Sequence, residues 1–274
     1  MTTPAPDEIA LGQRFAFGAN WRRFLSVLDE TRIQGAEDSL RRMLGVDDLT
    51  GQSFLDIGSG SGLFSLAARR LGATVTSFDY DPQSVACAQE LKERFFPGDS
   101  LWHIEQGSAL DTEYVQSKGQ FDVVYSWGVL HHTGDMWLGL ANAAIPVAPG
   151  GRLFVAIYND QGPSSLRWLR IKRLYCSSAA GRFVVCGLFI PYFFVRGIVG
   201  DLLRLRNPML RYLRPTTRGM SLFYDWFDWL GGLPFQVAKA DDVFRFYRDR
   251  GFTLRNLVTA GGGWANNEFV FSRD

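Results

Sequence analysis

A short strand that runs directly into three glycines at alternate positions constrains this chain more than any other feature. Ser53–Ile57 (SFLDI) has the apolar content of a buried strand, Gly58, Gly60 and Gly62 follow, and a helical pattern then continues through Leu71. Glycine allows tight turns and lets a ligand or a second backbone approach where a Cβ would collide. A second strand is predicted at Thr74–Phe78, and Asp79 follows it, 21 positions after Gly58. An acid at that place can accept hydrogen bonds from both hydroxyls of a ribose. The spacing separates this turn from its relatives. A dinucleotide fingerprint needs its third glycine at position 63, where Leu63 stands, and no Gly-Lys-Ser/Thr run is present to cradle a triphosphate.

The pattern repeats along the chain as short apolar runs alternating with helical periodicity, which predicts an α/β fold with a parallel sheet. Asp81 is placed to cap a helix that has Pro82 at its first position and Val85, Ala88, Leu91 and Phe95 on one face. Further strands are predicted at Leu101–Glu105, Phe121–Ser126 and Arg152–Tyr158, the last entered through the Gly150-Gly151 turn. A helix is expected from Asp135 to about Val147 and another over Asp241–Arg250, stopped by Gly251. Strands near Phe252–Thr259 and Glu268–Ser272, with glycines between them, suggest a closing antiparallel hairpin. Three regions emerge: a helical N-terminal extension over 1–50, an α/β domain over 51–160 and 240–274, and an aromatic and basic helical insertion over 161–239.

FLDIGSGSGLFSLA (54–67), FDVVYSWGVLHH (121–132) and APGGRLFVAIY (148–158) together resemble the class I S-adenosylmethionine-dependent methyltransferases. Asp56, Gly58, Gly60 and Gly62 match that family's first motif and Asp79 its second-strand acid. The resemblance implies a doubly wound, mostly parallel seven-stranded sheet with an antiparallel last strand, and S-adenosylmethionine bound above the carboxyl ends of strands one, two and four. It places Gly58, Ser59 and Gly60 against the methionine part with Asp56 near its amino group. Asp79 falls at the ribose, and Tyr80 beside it and Ser126 and Trp127 at the end of the fourth strand are further cofactor contacts. Many members carry an acid after the third strand for the adenine amino group. Here QGSALD offers the Ser108 hydroxyl or the Ala109 backbone, with Asp111 three residues on.

Methyl transfer from a sulfonium needs positioning above all, and a base where the acceptor is a hydroxyl. His131 and His132, just after the fourth strand, are the candidates for that base. The other reading is that they bond the backbone of their loop. His103 stands apart and no carboxylate cluster has ligand spacing, so no metal is expected. The N-terminal group Phe15, Phe17, Asn20 and Trp21 reads either as a lid over the cofactor, with Trp21 toward the acceptor, or as a helix anchored by aromatic burial. Acceptor contacts are assigned to Trp21, Tyr158, Arg167, Lys172, Tyr224, Trp264 and Asn267.

Residues 160–218 carry eleven basic residues against Asp160 and Asp201, a surplus of nine in a chain whose formal net charge is +1. That asymmetry suits an anionic acceptor, or an anionic membrane surface with the apolar run Phe183–Val195 dipping in. It equally suits a solvated helical face. The run is shorter than a transmembrane span and holds Pro191, so no span is predicted. Nucleic acid ranks last, because the basic residues are interleaved with apolar ones. Three scattered cysteines, Cys87, Cys176 and Cys186, are expected to be buried and unpaired, and an N-terminus with acids and no apolar core is not a secretory signal. The expected setting is the cytoplasm, with membrane association as the alternative.

The leading expectation is O-methylation of a small molecule or glycan, phosphorylated or lipid-linked among the options. LHHTGDMW and NEFVF also resemble methyltransferases that accompany bacterial glycan-assembly enzymes. The competing expectations are N- or C-methylation of a quinone-like or prenylated acceptor, and a non-catalytic protein that binds the cofactor as a scaffold.

Overall fold

The computed structural model describes residues 11, 14–15, 17–208, 222–261, 263 and 265–274. The chain divides into two compact units, one formed by Phe17–Ser165 with Pro234–Asp274 and the other by Met1–Ala16 with Leu166–Leu233.

The first unit is built on a seven-stranded sheet ordered β3-β2-β1-β4-β5-β7-β6. Its strands are β1 (Ser53–Ile57), β2 (Thr74–Asp79), β3 (Trp102–Gln106), β4 (Phe121–Trp127), β5 (Val147–Tyr158), β6 (Phe252–Val258) and β7 (Asn266–Arg273). The pairs β1–β2, β1–β4, β2–β3 and β4–β5 are parallel, and β7 runs antiparallel to both β5 and β6. The central strands are buried on both faces, as Phe54, Leu55, Val123, Val124 and Leu153–Ile157 show, so they read as continuous apolar runs rather than alternating ones. The order reverses between β1 and β4, the crevice where open α/β sheets hold their ligands.

Helices α1 (Phe17–Leu25), α2 (Glu30–Leu44), α3 (Leu63–Arg70), α4 (Pro82–Phe95), α5 (Thr112–Ser117) and α6 (Met136–Ala144) belong to the same unit. Several begin where their capping residues dictate. Asp29, Asp81, Asp111 and Asp135 each accept a backbone N–H of the first turn. Gly45, left-handed at φ 66°, closes α2.

Asp81 does more than cap α4. One carboxylate oxygen accepts the Gln83 N–H at 2.9 Å, and the other accepts the Gly18 N–H at 3.1 Å. The N-termini of α1 and α4 therefore share one carboxylate. A Cβ on Gly18 would lie 2.6 Å from Asp81 Oδ2, so the approach requires glycine.

The structure departs from sequence expectation at several points. Strand β5 starts at Val147 rather than Arg152. Val147 pairs with Phe121 and Arg152 with Val123, so the Gly150-Gly151 turn is looped out inside the strand. Helix α6 accordingly ends at Ala144, short of the expected Val147. Helix α5 was not expected; it is a short helix of 6 residues held by the Asp111 cap. Phe95, expected on the buried face of α4, is exposed in its last turn. Of the cysteines, Cys87 is buried but Cys176 and Cys186 are only partly so.

The second unit contains most of α7 (Pro163–Ser177), with α8 (Ala179–Leu202) and α9 (Leu222–Gly231). Trp168 is its centre, 5.4 Å from the Phe189 ring and 5.3 Å from that of Trp229. Pro191 was expected to interrupt the apolar run. Instead it lies inside one continuous helix of 24 residues capped by Ser178. The last helix of the first unit is α10 (Ala240–Arg248), which ends just before the left-handed Gly251.

The shared cap makes a stability prediction. Asp81→Ala should cost about 1–2 kcal/mol in urea unfolding. It should also raise amide exchange selectively across α1 and the first turn of α4. Unchanged exchange in α1 would show that the Gly18 bond contributes nothing.

Candidate active site

The turn after β1 is held open by backbone geometry. Gly58, Gly60 and Gly62 have φ of 78°, 56° and 82°. The N–H groups of Gly58 and Ser59 both donate to the Phe78 carbonyl, at 2.9 and 3.1 Å, which ties the turn to the end of β2. Each glycine admits a different neighbour. An added Cβ would lie 2.3 Å from Val129 Cγ1 at Gly58, 3.0 Å from the Trp21 ring at Gly60, and 2.9 Å from Ala88 Cα at Gly62. Trp21 thus brings α1 directly over the glycine turn.

Asp79 stands at the end of β2 with Oδ2 accepting the Gly60 N–H and Oδ1 the Asp81 N–H, each at 2.9 Å. Asp56 is buried and accepts the Ser65 hydroxyl at 2.6 Å. Burial pushes its carboxyl up to about 7, the Ser65 bond pulls against this, and the nearby Asp79 charge pushes the same way. Ser59 Oγ is buried and has no hydrogen-bond partner among the described residues. A buried hydroxyl of this kind calls for a partner that the described residues do not supply.

Ser108 follows β3, where its hydroxyl accepts the Leu110 N–H at 3.2 Å. The Ala109 carbonyl accepts from Asn142 Nδ2, and Asp111 is engaged as the cap of α5. The Gly107 N–H donates to the Asp79 carbonyl at 3.0 Å, which sets this loop beside the acid. Tyr80 is half-buried next to it, its carbonyl accepting from Gln106 Nε2. Ser126 donates its hydroxyl to the Ile57 carbonyl at 3.0 Å and locks the ends of β4 and β1 together, with Trp127 half-buried just beyond.

The two histidines form a 3₁₀ turn, Leu130–His132, and both are buried. Their proton arrangements are opposite. Tyr158 donates its backbone N–H to His131 Nδ1 at 3.2 Å, so that nitrogen carries no proton. His132 Nδ1 lies 2.6 Å from the Pro234 carbonyl oxygen, which can only accept, so Nδ1 carries the proton and the basic lone pair lies on Nε2. Rings enclose the pair. His132 is 5.0 Å from Phe17 and 5.3 Å from Tyr158, and Tyr158 lies 3.9 Å from His131 and 5.6 Å from Phe235.

Residues 234–238 run as a clasp along this cluster. The Gln236 N–H donates to the His131 carbonyl, the Ala238 N–H to the Tyr158 carbonyl and the Asp160 N–H to the Ala238 carbonyl, all at 3.0 Å. Gln236 Oε1 also accepts the Met136 N–H at the start of α6.

The structure thus brings together Asp56, Gly58, Ser59, Gly60, Gly62, Asp79, Trp21 and the β4 end on one side, and Phe17, His131, His132 and Tyr158 on the other. Asn267 is buried with its amide spent in the hairpin, on Asn159 Oδ1 at 3.1 Å and the Ala260 N–H at 2.9 Å. Arg167 and Lys172 belong to the second unit. There Lys172 is buried, bonding the Trp229 carbonyl and lying 4.6 Å from its ring, while Arg167 is exposed. Asn20 and Tyr224 lie on α1 and α9 with side chains outside the described set, and Trp264 lies outside the described residues. Asp81, Val129 and the Pro234 carbonyl were not foreseen as parts of the site. Only Asp81 left a sequence signal, as a helix cap.

A family model described as a methyltransferase domain matches residues 28–223. The chain is 33% identical over 165 residues to the ubiquinone biosynthesis O-methyltransferase of Methylobacterium nodulans, a match covering 56% of this chain and 63% of that protein. It is 34% identical over 172 residues to the Parvibaculum lavamentivorans protein of the same name, covering 56% and 62%. The matches therefore span a little under two thirds of these relatives' length. The fold is similar to that of the magnesium protoporphyrin IX methyltransferase from Synechocystis PCC 6803 with bound S-adenosylhomocysteine, at a TM-score of 0.52 and 16% identity, covering 88% of this chain and 83% of that one. It is similar also to the Burkholderia thailandensis 1,6-didemethyltoxoflavin-N1-methyltransferase, at a TM-score of 0.51 and 15% identity, covering 100% and 92%.

The raised Asp56 carboxyl fixes a sign for the pH dependence of stability. Between the unfolded value near 3.8 and the folded value of about 7, the native state holds a proton that the unfolded chain has released. Its contribution to stability is full below pH ~4, falls as pH rises to ~7 and is level above. Urea midpoints measured from pH 4 to 8 should show a steeper decline for the parent than for Asp56→Asn. Parallel profiles would place the Asp56 proton elsewhere.

Proposed function

The chain belongs to the methyltransferase-domain family, and we propose that it is an S-adenosylmethionine-dependent O-methyltransferase acting on a hydroxyl of a small, quinone-like or phenolic acceptor. The observation that carries the oxygen assignment is the proton arrangement on His132. Its Nδ1–H is fixed on the Pro234 carbonyl, which makes Nε2 the basic nitrogen of the ring.

The cofactor site is the crevice at the ends of β1, β2 and β4. The glycine turn gives a backbone surface for the methionine part, with the buried Ser59 hydroxyl as a donor to its carboxylate. The Asp79 carboxylate, held at the end of β2 by the Gly60 and Asp81 N–H groups, is placed to accept from the ribose hydroxyls. Trp21 and Phe17 on α1 close over the turn and the histidines, where aromatic faces suit a sulfonium and exclude water. Ser108 and the Ala109 backbone lie in the loop beside Asp79 and take the adenine.

S-adenosylmethionine supplies a methyl group already activated for in-line displacement. The chain then has two tasks. The rings of Phe17, Tyr158 and Phe235 orient a flat acceptor beside the histidine pair. His132 Nε2 would receive the hydroxyl proton as the acceptor oxygen takes up the methyl group. The Pro234 carbonyl, holding Nδ1–H, stabilises the resulting imidazolium. His131, its Nδ1 committed to the Tyr158 backbone, positions the turn. The names of the ubiquinone-pathway relatives support an oxygen acceptor on a quinone-like ring. The unpaired cysteines suit a reducing cytoplasmic setting.

Calorimetric titration with S-adenosylmethionine and S-adenosylhomocysteine should give saturable binding that folded Asp79→Ala loses. No binding to the folded parent would overturn the cofactor assignment. On catechol and quinol acceptors, His132→Ala should lower kcat by about 10²–10⁴ while cofactor affinity is kept. Activity retained in His132→Ala would point to nitrogen or carbon as the methylated atom. Cofactor binding without turnover on any acceptor would favour a scaffold.

A further inference from the structure

The second unit presents a surface that the proposed chemistry does not use. Helix α8 is long and apolar enough to cross a membrane by length and composition, yet only 6% of its apolar segment is buried. Its two sides differ. Val185, Phe189 and Phe193 face inward, with the last two in ring contact with Trp168 on α7 and Phe193 also with Trp226 on α9. Val184, Leu188, Pro191, Val195, Val199 and Leu202 recur at helical spacing on the opposite side, and all are exposed, Leu188 at 66%. A stripe of this kind is far outside what a soluble surface ordinarily leaves uncovered.

Charge decides what covers it. From residue 163 to 206 the only acid is Asp201, which is buried. Arg170, Arg173, Arg182, Arg204 and Arg206 are exposed on or just beyond α7 and α8. Within 163–206, an apolar stripe flanked by exposed arginines and no exposed acid is complementary to acyl chains beneath anionic headgroups, with the long side chains reaching up to phosphate. We propose that the outer face of α8 docks this chain on an anionic lipid bilayer, with the helix lying in the plane of the interface.

A spanning arrangement conflicts with two observations. The inner face of α8 is engaged with Trp168 and Trp226, and spanning would strip it. Between Arg182 and Arg196 the uncharged helix is about 20 Å long, short of the ~30 Å hydrocarbon core. This proposal does not rest on the methyl-transfer reading, because it concerns a different unit and a different ligand.

The test is flotation of the full chain with vesicles of phosphatidylcholine, with and without about one third phosphatidylglycerol. The parent should float with the anionic vesicles at least about tenfold more than with the neutral ones, and less as salt rises from ~0.1 to ~0.5 M. Leu188→Glu/Val195→Glu should abolish flotation, and Arg170→Gln/Arg173→Gln/Arg182→Gln should remove its anionic preference. Both variants should keep the parent's melting temperature and its titration with S-adenosylmethionine, which separates failure of docking from failure of the cofactor site. A parent that does not float overturns the proposal. So does a double glutamate variant that melts early, since the stripe would then be covered by the chain itself. A parent dimer that the glutamates dissociate, without vesicle binding, assigns the face to a second copy.

Discussion

Three glycines at alternate positions make room for three different neighbours, and the first unit is assembled around that fact. The backbone after β1 comes within van der Waals reach of Val129 beyond β4, Trp21 on α1 and Ala88 on α4. Any side chain there would push one of these elements away, at the same time as it strained a left-handed backbone. The alternate spacing is therefore a packing requirement as much as a ligand requirement. The Phe78 carbonyl and the Asp79 carboxylate then hold the turn against β2, and Asp81 holds α1 against α4. The crevice is preorganised by backbone bonds before any ligand contributes.

The histidine pair shows how neighbouring residues of one type acquire different chemistry. His131 and His132 are adjacent and both buried, and their rings lie 4.4 Å apart. What differs is the backbone group each meets. A Tyr158 N–H fixes one ring with Nδ1 unprotonated, and a Pro234 carbonyl fixes the other with Nδ1 protonated. A backbone carbonyl can only accept and a backbone N–H can only donate, so each contact fixes the opposite state of the ring nitrogen it meets.

Much of this was legible in the sequence, and the limits have physical causes. The parallel sheet, the glycine turn, the acid after the second strand and the Asp81 cap depend on residues close along the chain, so pattern alone reveals them. The second role of Asp81 depends on Gly18, which is 63 residues away. The tautomer of His132 depends on a main-chain carbonyl, which every residue has and no pattern marks. The early start of β5 was hidden because the Gly150-Gly151 turn reads as a boundary when it is an excursion within a strand. Pro191 reads as a helix breaker, yet it lies on the exposed side of α8 within one continuous helix. Phe95 has the right spacing for the core but falls in the last turn of α4, where the helix has run past what it packs against.

The clasp formed by residues 234–238 has a consequence for how such a chain can diversify. Its register is set by bonds to the His131 and Tyr158 carbonyls, by the Asp160 N–H and by the Met136 N–H, all within the first unit. The long excursion from Leu166 to Leu233 leaves and rejoins the chain on either side of that seam. The returning segment meets His132 at Pro234, one residue past that excursion, and its four further bonds, at Gln236 and Ala238, follow within the next four residues. The chemistry is thereby insulated from the insert. New surfaces can be exchanged there like cartridges while the proton stays where it was.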